Sequence, residues 1–229
     1  MTTRVGIISL GCSKNLVDTE IMLGLLSDAG YAITPADTEA DVVIINTCGF
    51  ITPAKEEALE TIFKTARLKE EGRLKALLVA GCLAQRHGPE LLAEMPEIDG
   101  VFGTGEIERV ASLVEAALQG ERPGTVGSPG FDYGRVMNRK LATPSHWAYV
   151  KIADGCSNRC SYCAIPGIRG RYRSRPLEVL ESEVSGLVGG GAREIILVAQ
   201  DSTAYGLDLY GRPMLAGLLK RLAALGVPW

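Results

Sequence analysis

Four consecutive branched aliphatic residues, Val42-Val43-Ile44-Ile45, stand between Asp41 and Asn46. A strand that is apolar at successive positions needs cover on both faces, which places it inside a parallel sheet with helices on either side. The flanking sequence supplies that arrangement. Residues 5–10 and 76–80 are further apolar runs, residues 31–34 form a weaker one, and Val101-Phe102 a short last strand. Residues 16–29 carry helical spacing (Val17, Ile21, Leu25) and stop at Gly30, a C′ residue. Thr52-Pro53 offers an N-cap followed by proline at N1, opening a helix to about residue 71. Helices near residues 89–95 and 106–118 follow the last two strands. Strand–helix alternation of this kind gives an α/β fold, a doubly wound parallel-sheet domain over residues 1–122.

Regular patterning then lapses. Residues 123–144 contain Pro123, Gly124, Gly127, Ser128, Pro129 and Gly130, the composition of a linker. From residue 145 a new series begins: a strand at 148–152, a helix at 177–188 ended by Gly189-Gly190-Gly191, a strand at 194–199 and a helix at 214–225. A closed eight-unit barrel needs about 250 residues. The expectation is therefore the start of a partial (β/α) barrel over residues 145–229, incomplete in a truncated chain.

No apolar run approaches the roughly 20 residues of a membrane-spanning helix. The N-terminal run of six apolar residues is shorter than the roughly 7–15 of a signal peptide. A cytoplasmic protein is expected, and in that reducing compartment clustered cysteines are metal ligands or catalytic groups rather than disulfides. The net charge of −3 hides an asymmetry, −8 over residues 1–130 and +5 over residues 131–229, as two domains with different tasks would have.

With only two histidines beside six cysteines, any metal chemistry must rest on sulfur. Cys156, Cys160 and Cys163 form C-x3-C-x2-C in a loop just after a strand. Three thiolates so close together can wrap one face of an iron–sulfur cluster and leave one iron without a protein ligand. Zinc sites instead favour paired C-x2-4-C elements and four closed ligands. Cys12, Cys48 and Cys82 are far apart in sequence, yet each lies just past the carboxyl end of an expected parallel strand. That edge is where open α/β sheets bind ligands. Strands about 4.8 Å apart would let the three loops converge on one metal site. Gly11, Gly49 and Gly81, each beside a cysteine, would admit close backbone approach. Three separate core or loop cysteines are the alternative.

The C-x3-C-x2-C motif with Tyr162 before its last cysteine resembles the radical S-adenosylmethionine (SAM) enzymes. The resemblance implies that Cys156, Cys160 and Cys163 hold a 4Fe–4S cluster whose open iron chelates SAM, with Tyr162 in the neighbourhood of its adenine. The segments Gly11-Cys12-Ser13-Lys14-Asn15-Leu16-Val17-Asp18-Thr19-Glu20, Asn46-Thr47-Cys48 and Ala80-Gly81-Cys82 are similar to the N-terminal domain of the methylthiotransferases. In that family three cysteines bind a second 4Fe–4S cluster, here Cys12, Cys48 and Cys82. The residues after Cys12, and Gln200-Asp201-Ser202-Thr203-Ala204-Tyr205-Gly206, look like the branch that methylthiolates the β-carbon of an aspartate in the twelfth small-subunit ribosomal protein. That branch more often reads Thr-Ser where Ser202-Thr203 stand. The implied cofactors are two 4Fe–4S clusters and SAM. The implied partners are the ribosomal protein or ribosome and an electron-donor protein, with the enzyme a monomer that engages no membrane. Rival readings are a tRNA adenosine methylthiotransferase of the same family, and an iron–sulfur or zinc electron-transfer or binding protein without radical chemistry.

Arg169, Arg171, Arg173 and Arg175 alternate directly after the second cysteine group. They read either as a basic rim for the substrate or as a solvated strand edge protected by charge. Gly103-Thr104-Gly105 lacks the third glycine of a dinucleotide loop and reads as a tight turn. His87 and His146 read as structural or exposed.

Overall fold

The computed structural model describes residues 2–35, 39–131, 133–134 and 138–229. Its first part is a six-stranded, wholly parallel sheet. The strands are β1 (Arg4–Ser9), β2 (Ala32–Ile33), β3 (Val42–Thr47), β4 (Ala76–Gly81), β5 (Gly100–Phe102) and β6 (Gly124–Thr125), in the order β2-β1-β3-β4-β5-β6. Helices α1 (Ser13–Asp28), α2 (Thr52–Glu70), α3 (Cys82–Glu94) and α4 (Val110–Leu118) join them. Successive residues of the central strands enter opposite cores. Val42, Ile44, Ala76 and Leu78 pack with Val17, Ile21, Val110 and Val114 on one face. Val43, Ile45, Leu77 and Val79 pack with Ala58, Ile62, Leu83 and Leu91 on the other. All six residues of β3 and of β4 are buried, as the unbroken apolar run requires.

The sequence and structure part company at three places. The stretch 123–144 is more than a linker: Gly124 and Thr125 pair with Val101 and Phe102 as a sixth strand, and Phe131 and Tyr133 join the core under α1 and α4. Residues 132 and 135–137 of that stretch lie outside the described residues. The helix expected at 89–95 begins at Cys82, because Gly81 (φ +91°) turns the strand straight into a helix. Within α3 the backbone kinks at His87 (φ −134°), two residues before Pro89, whose ring cannot continue the hydrogen-bond ladder. Thr52 is the first residue of α2 rather than its cap; Ile51 precedes it and offers no side-chain bond.

The second part places β7 (Trp147–Lys151) beside β10 (Glu194–Val198) in parallel. Between them lie β8 (Ala153–Asp154), α5 (Ile165–Arg169), β9 (Arg173–Ser174) and α6 (Leu177–Gly189), with β8 and β9 antiparallel. After β10 come α7 (Leu207–Tyr210) and α8 (Leu215–Ala223). Val150, Ile152, Leu180, Val184, Tyr205, Leu218 and Leu222 form its core. The repeating strand–helix order with parallel strands is that of an opening barrel.

Candidate metal centres

The strand order β2-β1-β3 reverses direction between β1 and β3, the crevice where doubly wound sheets bind ligands. Cys12 precedes α1, Cys48 follows β3, and Cys82 opens α3, so the three loops meet beside that crevice. Their contacts are tight. A Cβ on Gly11 (φ +95°) would sit 2.7 Å from Cys48 Cβ and 3.4 Å from its Sγ; one on Gly49 would sit 2.7 Å from Leu83 Cα. Only glycine permits these approaches.

Asn15 ties the loops together. Its Nδ2 donates to the carbonyls of Leu10 (3.1 Å) and Thr47 (2.9 Å), and its Oδ1 accepts from Cys82 Sγ at 3.6 Å. Asn46 Nδ2 in turn donates to the Asn15 carbonyl (2.8 Å) and Thr19 Oγ1 (3.0 Å), and Thr47 Oγ1 donates to the Ala80 carbonyl (2.6 Å). Cys12 is exposed, Cys48 half-buried and Cys82 buried, and all three are free thiols. Burial pushes the Cys82 thiol up, with the Arg169 guanidinium partly opposing it.

Cys156, Cys160 and Cys163 occupy the loop from β8 to α5 as free thiols, Cys160 exposed and the other two half-buried. Gly155 (φ +74°) starts the loop, and a Cβ there would lie 2.1 Å from the Arg171 carbonyl oxygen. The Cys156 amide donates to the Gly170 carbonyl (3.0 Å), and that of Cys163 to the Cys160 carbonyl (3.1 Å). Tyr162 is 89% exposed. Beside the loop is a cavity of about 220 Å³ lined by Cys156, Ser157, Asn158, Tyr172, Asp201 and Asp208. Asp201 Oδ1 accepts from the Thr203 hydroxyl (2.6 Å) and amide (3.0 Å), which hold its carboxyl below the usual range. The Tyr172 hydroxyl donates to the Asp201 carbonyl at 2.8 Å, and burial pushes it up to about 12.

Among the described residues, no three Cys, His, Asp or Glu side chains are gathered for a single metal ion. Three thiols on separate, glycine-opened loops, without a carboxylate or imidazole among them, suit a wider thiolate-ligated group instead. Iron–sulfur clusters are of that kind.

Between the two triads lies a charged cluster that sequence reasoning missed. Lys151, wholly buried, pairs with Asp18, lies 3.6 Å from Asp154 Oδ2, and donates to the Tyr133 hydroxyl oxygen at 2.7 Å. Tyr133 donates to Asp18 Oδ1 at 2.7 Å. Arg169 Nη1 reaches Asp18 Oδ2 (2.6 Å) and Asp154 Oδ2 (3.4 Å), while its Nη2 donates to Asn15 Oδ1. Burial pushes the Asp154 carboxyl up, but Lys151 and Arg169 overcome it and hold the group well below the usual range. A second cluster joins Arg139 to Glu20 and Glu183, and Arg175 to Glu183. Arg169 and Arg175 are therefore neither a substrate rim nor a solvated edge; buried carboxylates from α1, β8 and α6 take them inside. Arg171 is exposed, and Arg173 is half-buried against the carbonyls of Arg169 and Arg171. A lysine inside the apolar run of β7 was the one legible sign of this cluster.

Of the lesser signals, Gly103-Thr104-Gly105 is a tight turn, closed by the Glu106 amide on the Gly103 carbonyl at 3.2 Å. His87 Nδ1 lies 2.8 Å from Glu90 Oε2 within α3, and the His146 carbonyl accepts the amides of Arg193 and Glu194. Among the described residues no helix is long and apolar enough to cross a membrane.

Comparison with known proteins finds matches in two segments of the chain. Residues 4–103 match the family described as uncharacterized protein family UPF0004, and residues 150–226 match the radical SAM superfamily. Proteins named ribosomal protein uS12 methylthiotransferase RimO are similar throughout. That of Heliobacterium modesticaldum is 54% identical over 230 residues, covering 100% of this chain and 50% of the relative. That of Pelotomaculum thermopropionicum is 54% identical over 228 residues, covering 100% and 51%. That of Geobacter sulfurreducens is 49% identical over 228 residues, covering 99% and 51%. The chain thus spans about half the length of the curated relatives it matches. Among solved structures, the radical SAM methyltransferase TsrM of Kitasatospora setae, with cobalamin and a [4Fe-4S] cluster bound, superposes with a TM-score of 0.63. Identity is 17%, over 96% of this chain and 52% of that one. The cobalamin-dependent SAM radical enzyme OxsB gives 0.57 at 11% identity, over 98% and 37%. These two establish the fold alone.

Proposed function

We propose that this chain, whose residues 4–103 match the UPF0004 family and residues 150–226 the radical SAM superfamily, acts as a radical SAM methylthiotransferase. Its substrate is the β-carbon of an aspartate in the twelfth small-subunit ribosomal protein. Cys156, Cys160 and Cys163 hold one 4Fe–4S cluster with an iron open to SAM, and Cys12, Cys48 and Cys82 hold a second. Bound there, the clusters supply an electron to SAM and an open iron for the transferred sulfur, SAM serving as methyl donor and radical source. The work of this chain's own residues is to hold and shield. Gly155 bends the loop so that Cys156 borders the cavity, and Asp201 and Asp208 give that cavity the negative charge a cationic sulfonium or ammonium group favours. Residues 1–122 and 145–229 act as the two functional domains.

The observation that carries this reading is the pair of free thiol triads, the first at the carboxyl ends of parallel strands and the second in the loop from β8 to α5, on segments locked together by buried charge. Similarity to relatives named for uS12 supports the protein substrate over tRNA adenosine. The reading also implies a cytoplasmic monomer served by an electron-donor protein.

Anaerobic purification with iron and sulfide analysis tests the centres, with about eight irons per chain expected. Stoichiometric zinc without iron would overturn both. Cys156→Ala should abolish SAM cleavage and leave iron on the first triad; SAM cleavage at the parent rate would refute the assignment. Mass spectrometry of the ribosomal protein and of tRNA from a deletion strain decides the substrate, and loss of methylthio from tRNA alone would move the chain to the other branch.

A further inference from the structure

Asp18, Lys151, Asp154 and Arg169 sum to no net charge, yet the cluster is not symmetric about the first triad. Lys151 faces Asp18, Asp154 and Tyr133. Arg169 occupies the near end. One of its terminal nitrogens serves both carboxylates, and the other is directed to Asn15 Oδ1, the atom that also accepts from Cys82 Sγ at 3.6 Å. A guanidinium recruited only to neutralise Asp18 and Asp154 would place both nitrogens on carboxylate oxygens, the geometry its planar fork favours. This one spends half its fork on an amide whose other contacts fasten two of the cysteine loops.

The location of Arg169 in the chain adds to the argument. It is the last residue of α5, a short helix that starts two residues after Cys163. The Cys82 side of the first triad is thereby faced by a cation from the short helix that follows the second. Arg169 is buried, so its field acts on that site at low effective dielectric.

We infer that Arg169 is a positioning residue that fixes a positive charge against the Cys82 side of the first triad, through Asn15, and so raises the reduction potential of the cluster held there. The inference rests on the proposed reading that this triad holds a cluster. Charge and hydrogen bonding near the sulfurs are established determinants of cluster potential.

The test is an EPR-monitored redox titration of the full-length protein carrying Cys156→Ala, Cys160→Ala and Cys163→Ala, so that one cluster is observed. In that background Arg169→Gln is expected to lower the ratio of reduced to oxidised cluster at fixed potential about tenfold, or about 59 mV for one electron. Arg169→Lys, which keeps the charge, should stay within about threefold of the parent. Should Arg169→Gln fail to fold, pairing it with Asp154→Asn restores neutrality to the cluster, and the potential should still fall because the cation bonded to Asn15 Oδ1, the atom that accepts from Cys82, is gone. An unchanged midpoint in a glutamine variant that retains its iron would overturn the inference, as would equal shifts for Gln and Lys. A parent protein with no iron on the first triad would instead overturn the reading beneath it.

Discussion

Replacing Lys151 by methionine would isolate how much the buried cluster contributes to stability. The side chain has no exposure, and its ammonium is balanced by Asp18 and Asp154. Methionine keeps the aliphatic length and removes the charge, so two buried carboxylates would share the single guanidinium of Arg169. Breaking a buried ion pair by deleting one partner costs about 3–5 kcal/mol. For a chain of this size that is a fall in Tm of roughly 6–20 °C. The assay is thermal and urea unfolding followed by circular dichroism. Lys75→Met is the control: Lys75 also pairs with an aspartate, Asp41 at 3.2 Å, but is 66% exposed, so its loss should cost under about 1 kcal/mol. Adding Asp18→Asn to Lys151→Met returns the cluster to neutrality and should recover roughly 1–3 kcal/mol relative to additivity. If Lys151→Met is as mild as Lys75→Met, or if the double variant is simply additive, the cluster is not the coupled unit described above.

Acid should weaken the chain through the same kind of contact. Burial raises the Glu183 carboxyl, but Arg175 and Arg139 outweigh it, leaving the group below its ordinary value of 4.5. A depressed carboxyl contributes stability that is full above the ordinary value and is lost as pH falls through the folded one. The unfolding midpoint should therefore drop from about pH 5 downward, and Glu183→Gln, less stable at neutral pH, should show a flatter acid limb; an unchanged slope would count against this. Gly49→Ala should strip the first triad, since the added methyl would sit 2.7 Å from Leu83 Cα and 2.8 Å from its nitrogen. Iron should fall to about half while SAM cleavage continues, and full iron retention would show that the loop can yield.

Most of the sheet was readable because β3 and β4 are apolar at nearly every position, a pattern that fits only a doubly covered strand. The edge strand β6 was not, since Gly124-Thr125 is too short for any period and its glycine and neighbouring prolines signal a turn. Helix α3 was half read. Pro89 looked like a start, whereas the helix begins where a left-handed Gly81 ends the strand. The meeting of the Cys12, Cys48 and Cys82 loops followed from strand-end geometry alone. The hub at Asn15 did not, because a single asparagine in a helix signals nothing about a carbonyl in another loop. Arginines spaced by two look solvated in sequence; the carboxylates that bury Arg169 and Arg175 come from elements anywhere from eight to 151 residues away.

Asp18 also bears on the order in which the chain assembles. Its partners Tyr133, Lys151 and Arg169 lie 115, 133 and 151 residues downstream. When β1 to β5 and their helices have left the ribosome, every strand but the edge one is present, and the first module can collapse with Asp18 still hydrated. Domains fold as units during synthesis, and contacts this distant in sequence close late. The desolvation of Asp18 awaits the second module, so the docking of the two halves follows the collapse of the first. Until then the two groups of cysteines have no fixed relation to each other, and the distance between them is set only when Lys151 and Arg169 close on Asp18.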